Sequence, residues 1–413
     1  MAKARKDKRG YALRTGETQR KDGRYVYTYT NKYGQRKSIY AKTLPELRQK
    51  ERKSIRDRED GLDPDAADRI TLNEMFDKYY SQKYNLKDST KMNYKYMYDH
   101  FVRDTFGKRI ISKIKYSDVK EFYYSLMKDK GLKPATVENV HTVVHPTLAM
   151  AVRDCIIRIN PSDEVMAEIK KSKLWVKKKR HALTISQQKA FMHYAKSSVE
   201  YRGWLPILTV LLGTGARIGE ILGLRWDDLD FENRTIDINH NIVYRVHENE
   251  DGKKYSALNI NTPKTEAGCR VIPMIDEVYE AFLEELEIQR CIGGCKQVVD
   301  GYTNFVFTTA EGNVYLPNAI NRAIKNIYEA YNAEETENAK TEGREPLLLP
   351  HFSAHHLRHT FCTRFCENET NLKVIQAIMG HADISTTMDI YAEATAEKKK
   401  QVLDNLQNKI MVM

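Results

Sequence analysis

No run in this 413-residue sequence approaches 18 consecutive apolar residues, and its N-terminus has no apolar core of the kind a secretion signal carries. These absences exclude a membrane span and export, and a soluble cytoplasmic protein is expected. Cysteine is scarce. The six (Cys155, Cys269, Cys291, Cys295, Cys362, Cys366) are scattered through a long chain, which excludes a disulfide framework. The two close pairs, Cys291/Cys295 and Cys362/Cys366, do not have zinc-knuckle spacing and read as core or surface thiols. No phosphate-loop pattern and no repeat of 20–50 residues is present, so a nucleotide-driven motor and a solenoid are both set aside. No cofactor or metal is expected.

What the chain has in quantity is positive charge, placed unevenly. The formal net charge is +11 and the pI about 9.1, which favours a polyanionic partner. Residues 1–60 hold 19 Lys/Arg against 8 Asp/Glu, whereas the other 353 residues hold 48 of each. A basic N-terminal module, or else a solvated basic tail, is thus joined to a neutral body. At this length two to three domains are expected.

The patterning divides the chain. Residues 1–23 are basic and glycine-punctuated, and are expected to be loose until a partner binds. Tyr25, Tyr27 and Tyr29 alternate with Val26, Thr28 and Thr30, a strand pattern, and 35–40 read as its return. Leu44 to Glu59 reads as a charged helix ending before Gly61, which makes a module over 1–61. After a linker at 62–68, helical periodicity begins behind the N-cap candidate Thr71, with further helices expected over 88–104, 116–130 and 134–157. This helical region, 69–168, is rich in tyrosine (Tyr79, Tyr80, Tyr84, Tyr94, Tyr96, Tyr98). These rings either lie along a sugar-phosphate backbone or form core edges. Lys170 to Arg180 holds seven Lys/Arg in eleven residues and reads as a second linker, lying on phosphates or merely solvated. From 182 to 413, Thr184 is an N-cap candidate, an apolar helix over 204–222 is interrupted by Gly213 and Gly215, and strands are expected at 233–246 and 256–274 around a polar loop at 247–256. The acidic stretch 333–346 reads as an exposed insertion.

Six residues carry chemistry. Arg217 lies in Thr214-Gly215-Ala216-Arg217-Ile218-Gly219-Glu220, and Lys264 in Thr262-Pro263-Lys264-Thr265. His355 and Arg358 form H-x-x-R, His381 follows Met379-Gly380, and Tyr391 lies ten residues later. Phosphoryl transfer needs cations on the non-bridging oxygens, a nucleophile and a proton for the leaving oxygen. Arginine suits the first need, because its planar fork pairs with two phosphate oxygens. His355 and Arg358, three apart, share a helix face, whereas His356 does not and His359 reads as structural. Glu220, one turn after Arg217, either orients it or makes an ordinary helix ion pair.

The order and wording of these residues resemble the tyrosine recombinase (phage integrase) family, and the basic N-terminal module resembles that of conjugative-transposon integrases. The resemblance implies a multidomain, mainly α fold. Its parts would be a small N-terminal α+β arm-binding module, a helical core-binding domain and a mixed α/β catalytic domain with a C-terminal tail helix. It implies a site-specific DNA recombinase that cuts and rejoins through a 3′-phosphotyrosine, for integration and excision of a mobile element. Tyr391 would be the nucleophile, and Lys264, on a hairpin, would protonate the leaving 5′ oxygen. Arg217, Arg358 and His381 would hold the phosphate, His355 would accept the tyrosine proton or hydrogen-bond the phosphate, and Glu220 would be in support. The expected partners are double-stranded DNA at core and arm sites, three further copies in a homotetramer, an excision factor and a DNA-bending host protein. The tail over 395–413, with Lys398-Lys399-Lys400 and a Val402/Leu403/Leu406/Ile410 face, would pack on its own domain or, as the resemblance implies, dock on a neighbouring copy. Two other readings stand beside this one: a non-cleaving DNA-binding regulator and a type IB topoisomerase-like strand relaxer.

Overall fold

The computed structural model describes residues 5–31, 34–62, 67–176, 181–249, 251, 253–262 and 268–392. The chain is mainly helical, with a small sheet near its N-terminus, and divides into two compact units, Met1–Lys178 and Lys179–Met413. Among the described residues no helix is long and apolar enough to cross a membrane.

The first unit begins with an antiparallel sheet in the order β1 (Glu17–Gln19), β2 (Tyr25–Thr30), β3 (Arg36–Ala41), followed by helix α1 (Leu44–Glu59). Thr43 caps α1 by accepting from the Glu46 amide, while Arg56 and Arg58 sit in the last turn, where the helix dipole favours cations. Leu44 and Leu47 pack on Tyr25 and Ala41. The expectation that residues 1–23 are loose fails over their described part. Asp7 is buried and accepts from the Tyr25 hydroxyl at 2.6 Å; Glu17 is buried and accepts from Arg48 Nε at 3.0 Å and from the Arg14 amide at 2.7 Å. Two acids hidden in a basic stretch tie it down and add a third strand to the expected pair.

Among the described residues, helices α2 (Leu72–Ser81), α3 (Asp88–Phe101), α4 (Tyr116–Lys128), α5 (Pro134–Arg153) and α6 (Val165–Lys170) follow. Thr71 and Glu74 form a reciprocal capping box at the start of α2. The helices share one core, including Leu72, Phe76, Tyr98, Val119, Tyr123, Val140, Leu148 and Ile169. Of the tyrosines, Tyr79 and Tyr98 are core, Tyr98 stacking on Phe76, whereas Tyr84 and Tyr96 are exposed. Trp175, in the basic second linker, packs against this same core.

The second unit opens with α7 (Ile185–Ser197), whose N-cap Thr184 and Gln187 make another capping box. The apolar stretch 204–222 is two helices, α8 (Leu205–Thr214) and α9 (Ile218–Gly223), broken at Gly215. Strands β4 (Leu229–Asp230), β5 (Thr235–Ile238) and β8 (Arg270–Pro273) form a short antiparallel sheet. β6 (Asn241–Glu248) and β7 (Lys254–Asn261) pair as a separate ribbon. The polar stretch 247–256 is the tip of this hairpin: β6 and β7 pair through His247↔Tyr255 to Glu248↔Lys254, and the described residues 249, 251 and 253 between them are not strand. Helices α10 (Asp276–Ile292), α11 (Pro317–Glu342), α12 (Ala354–Asn368) and α13 (Leu372–Met379) complete the unit with a helical segment at 384–392. The acidic stretch 333–346 is no insertion: it continues α11 to Glu342. Its Glu335 turns inward, where Arg344 and the Leu347 amide satisfy it.

Candidate active site

The site is assembled where the α8–α9 break, the first turns of α12 and the end of α13 meet. Gly215 adopts φ +60°, and a Cβ added there would meet Phe361 Cδ1 at 2.3 Å. Glycine therefore permits both the left-handed turn and the close approach of α12. The break leaves Arg217 at the N-cap of α9, with its backbone amide and its guanidinium both donating to Glu220, at 2.8 and 2.7 Å. Gly219 lets α9 lie against the start of β6, for a Cβ would stand 2.7 Å from the Ile242 carbonyl.

At the start of α12, Ser353 is the N-cap and its amide donates to His356 Nδ1 at 3.2 Å. His356 thus serves the helix end, and His359 bonds Thr363 within the same helix. His355 is left exposed at the mouth of a cavity of about 480 Å³, and Arg358 lies buried in its wall. Arg217, Asn241, Tyr244 and Asn318 are also in that lining.

The end of α13 binds the arginines together. Three consecutive carbonyls there each accept from a different guanidinium: Ile378 from Arg270 at 2.7 Å, Met379 from Arg358 at 2.6 Å and Gly380 from Arg217 at 3.0 Å. Carbonyls at a helix C-terminus lack intrahelical partners and carry the negative end of the dipole, so cations suit them. Arg358 also donates to the Gly215 carbonyl at 2.7 Å, which closes the ring from α13 back to the α8–α9 break. Burial, with the Arg217 charge beside it, pushes the Arg358 guanidinium down to about 9, which still leaves it protonated at neutral pH.

His381 follows this carbonyl row. It is buried, and its Nδ1 shares a hydrogen bond with the Thr387 hydroxyl at 2.9 Å. Gln376 brackets it, taking the His381 amide at 3.2 Å and donating to its carbonyl at 3.0 Å. Burial first, then the charges of Arg358, Arg217 and Arg270, push the imidazole down to about 4, so it is neutral at physiological pH. Where Thr387 donates to Nδ1, Nε2 carries the proton and is a donor.

Glu220 is buried, and burial works to raise its carboxyl; Arg270 and Arg217 outweigh that and hold it below the ordinary range. Its Oε1 accepts from Arg217, and its Oε2 accepts from Arg270 at 2.8 Å. Glu220 thus makes the helix ion pair with a partly exposed Arg217 and adds a buried one with Arg270, a three-member network.

Tyr391 lies in the helical segment 384–392, half-buried against the cluster of Cys362, Cys366, Ile375 and Met379. It is outside the cavity lining, among the described residues. Lys264 and the tail over 395–413 lie outside the described residues. Among the described residues, no group of three or more His, Cys, Asp or Glu is placed to hold a metal ion.

Reading the sequence alone misses Arg270, Thr387 and Gln376. For Arg270 a signal exists. It is in phase with the buried Ile272 across Val271, so the period-two pattern of β8 turns an arginine inward.

Chemically, three guanidiniums, one carboxylate and a neutral imidazole make an arrangement suited to an anion. Residues 181–398 match the phage integrase family and residues 1–66 match the DNA binding domain of Tn916 integrase. The chain belongs to the phage integrase family, that of the tyrosine recombinases. The transposase from transposon Tn916 of Enterococcus faecalis is 32% identical over 430 residues, with 100% of each chain covered. A Tn1549 transposon integrase structure in complex with transposon right end DNA matches at a TM-score of 0.68 and 30% identity, over 82% of this chain and 100% of that one. A second, with a circular intermediate DNA, matches at 0.67 and 29%, over 81% and 99%.

Proposed function

We infer that this protein is a tyrosine-type site-specific DNA recombinase that integrates and excises a mobile element of the conjugative-transposon kind. One observation carries the reading furthest: Arg217 at the N-cap of α9 and Arg358 on α12, far apart in sequence, converge on the row of carbonyls before His381. Full-length similarity to the Tn916 transposase supports it.

In the proposed reaction the scissile phosphate binds beside those carbonyls, on donors of Arg217 and Arg358 that they leave unused. The two forks neutralise the charge that grows on its non-bridging oxygens. His355 and His381 add hydrogen bonds. The Tyr391 hydroxyl attacks phosphorus, losing its proton to His355; the bond to the 5′ oxygen breaks, and Lys264 gives that oxygen a proton. The products are a 3′-phosphotyrosine and a free 5′-hydroxyl. The ester keeps the energy of the broken bond, so a 5′-hydroxyl from another duplex rejoins by the reverse step. Glu220 orients Arg217. Residues 1–61, 69–168 and 182–413 would act as arm-binding, core-binding and catalytic domains. Four copies would assemble on two DNA sites in the cytoplasm, with an excision factor and a DNA-bending host protein.

Covalent trapping tests the reading. Wild-type protein and Tyr391→Phe are each incubated with nicked suicide duplexes carrying the ends of the encoding element. A denaturant-resistant adduct in wild type alone, mapped to Tyr391, is the expected result. Tight specific binding without an adduct would favour a non-cleaving regulator, and relaxation of supercoiled DNA by a monomer would favour the topoisomerase-like reading.

A further inference from the structure

We propose that Arg270 is a positioning residue for strand cleavage: it fixes Glu220, and through Glu220 the Arg217 fork, against the end of α13 that leads to His381. This rests on the recombinase reading above.

The side chain of Arg270 is 6% exposed and joins three segments. Its Nε donates to the Ile378 carbonyl at 2.7 Å, one terminal nitrogen to Glu220 Oε2 at 2.8 Å and the other to Gly268 at 3.3 Å in its own chain segment. An arginine fork suits such a junction, because its donors are held in fixed relative directions. A lysine at the same place offers one point charge.

Stability alone gives a poor account of this residue. Arg217, Arg270 and Arg358 gather around the single buried carboxylate of Glu220. Buried charges are costly, and well-packed apolar side chains are often as stable or more so. A second buried cation near Arg358, with the half-exposed Arg217 beside both, repels them.

Its effect on Arg217 is specific. Glu220 divides itself: Oε1 goes to Arg217, and Oε2 goes to Arg270 and to the Arg217 amide. Because Arg270 takes part of that carboxylate, Arg217 keeps uncompensated positive charge for a phosphate. Arg270 also ties Glu220 to the same helix end that holds Arg217 and Arg358, so the forks share one frame. Without it, Glu220 would swing onto Arg217, neutralise it and loosen its aim.

Single-turnover adduct formation on a nicked suicide duplex, with full-length protein in excess, tests this. The scissile position carries either the ordinary phosphate or a neutral methylphosphonate, which needs less cationic compensation. With the ordinary phosphate, Arg270→Gln should slow capture about 100-fold, the size seen when one preorganised donor is removed, with DNA affinity unchanged. On the methylphosphonate the slowing should shrink to below about 10-fold. Arg270→Lys should recover part of the loss, because its ammonium reaches Glu220 without holding Ile378 as well. Equal slowing on both substrates would mean that Arg270 merely supports the fold, and a wild-type rate would dismiss the role altogether. Should Arg270→Gln unfold at the assay temperature, Arg270→Lys carries the same comparison of substrates. A wild-type protein that forms no adduct would instead count against tyrosine transfer itself.

Discussion

Arg358 binds two backbone carbonyls in this structure, from Gly215 and Met379, and both bonds need the planar fork. Lysine reaches one of them at most. Arg358→Lys should therefore lose most cleavage while still binding DNA, as single-turnover capture beside a binding titration would report. Glu220 makes the opposite case, an anion whose loss strands cations. Glu220→Gln leaves the buried Arg270 without its counter-charge and should cost about 3–5 kcal/mol in denaturant unfolding. His381 ties stability to pH. Its folded pKa is depressed to about 4 against an ordinary value of 6.5. Its contribution is therefore fully present above about 6.5 and is lost as pH falls toward 4, where the unfolded chain takes up the proton first. His141, likewise pushed down to about 4, chiefly by burial, adds to the same slope. Melting temperature should fall through this window, and His381→Gln should flatten part of the fall.

At the scale of elements, the α8–α9 break has the clearest test. Gly215→Ala meets both a left-handed backbone and the Phe361 ring, and should destabilise by about 1–3 kcal/mol in thermal unfolding. The same position shows what sequence can reveal. Gly215 announces an interruption, and the caps Thr71 and Thr184 announce helix starts, because each is a local choice with a local reason. What stays hidden depends on distant partners. Glu335 reads as solvent-facing until Arg344 is seen across the turn, so α11 seems from sequence to stop short. Asp7 and Glu17 are outnumbered by the lysines and arginines around them, although each anchors the sheet. At the site, the wording around Arg217, His355, Arg358 and His381 makes them visible. Arg270 leaves only its strand phase with Ile272 as a hint, because its partners lie 50 and 108 residues away.

For the whole molecule, the basic N-terminal module and the neutral remainder predict a division of labour. Removing residues 1–62 should weaken binding to arm-type duplexes and lower the salt slope by about 0.9 for each phosphate the protein no longer neutralises. Capture on a core-type duplex should persist, and filter binding over a salt series beside adduct assays would show both. Unchanged affinity would remove the arm-binding role. The way this module disposes of its acids has a further consequence. Asp7, Glu17 and Glu51 are buried, and Asp57 and Asp60 are engaged by Arg158. Few carboxylates are left at the surface to interrupt the positive field, so an approaching duplex is drawn in from a distance. The speed of encounter, more than the lifetime of the complex, is then what added salt should slow, because long-range steering acts before the surfaces touch and is the part that ions screen.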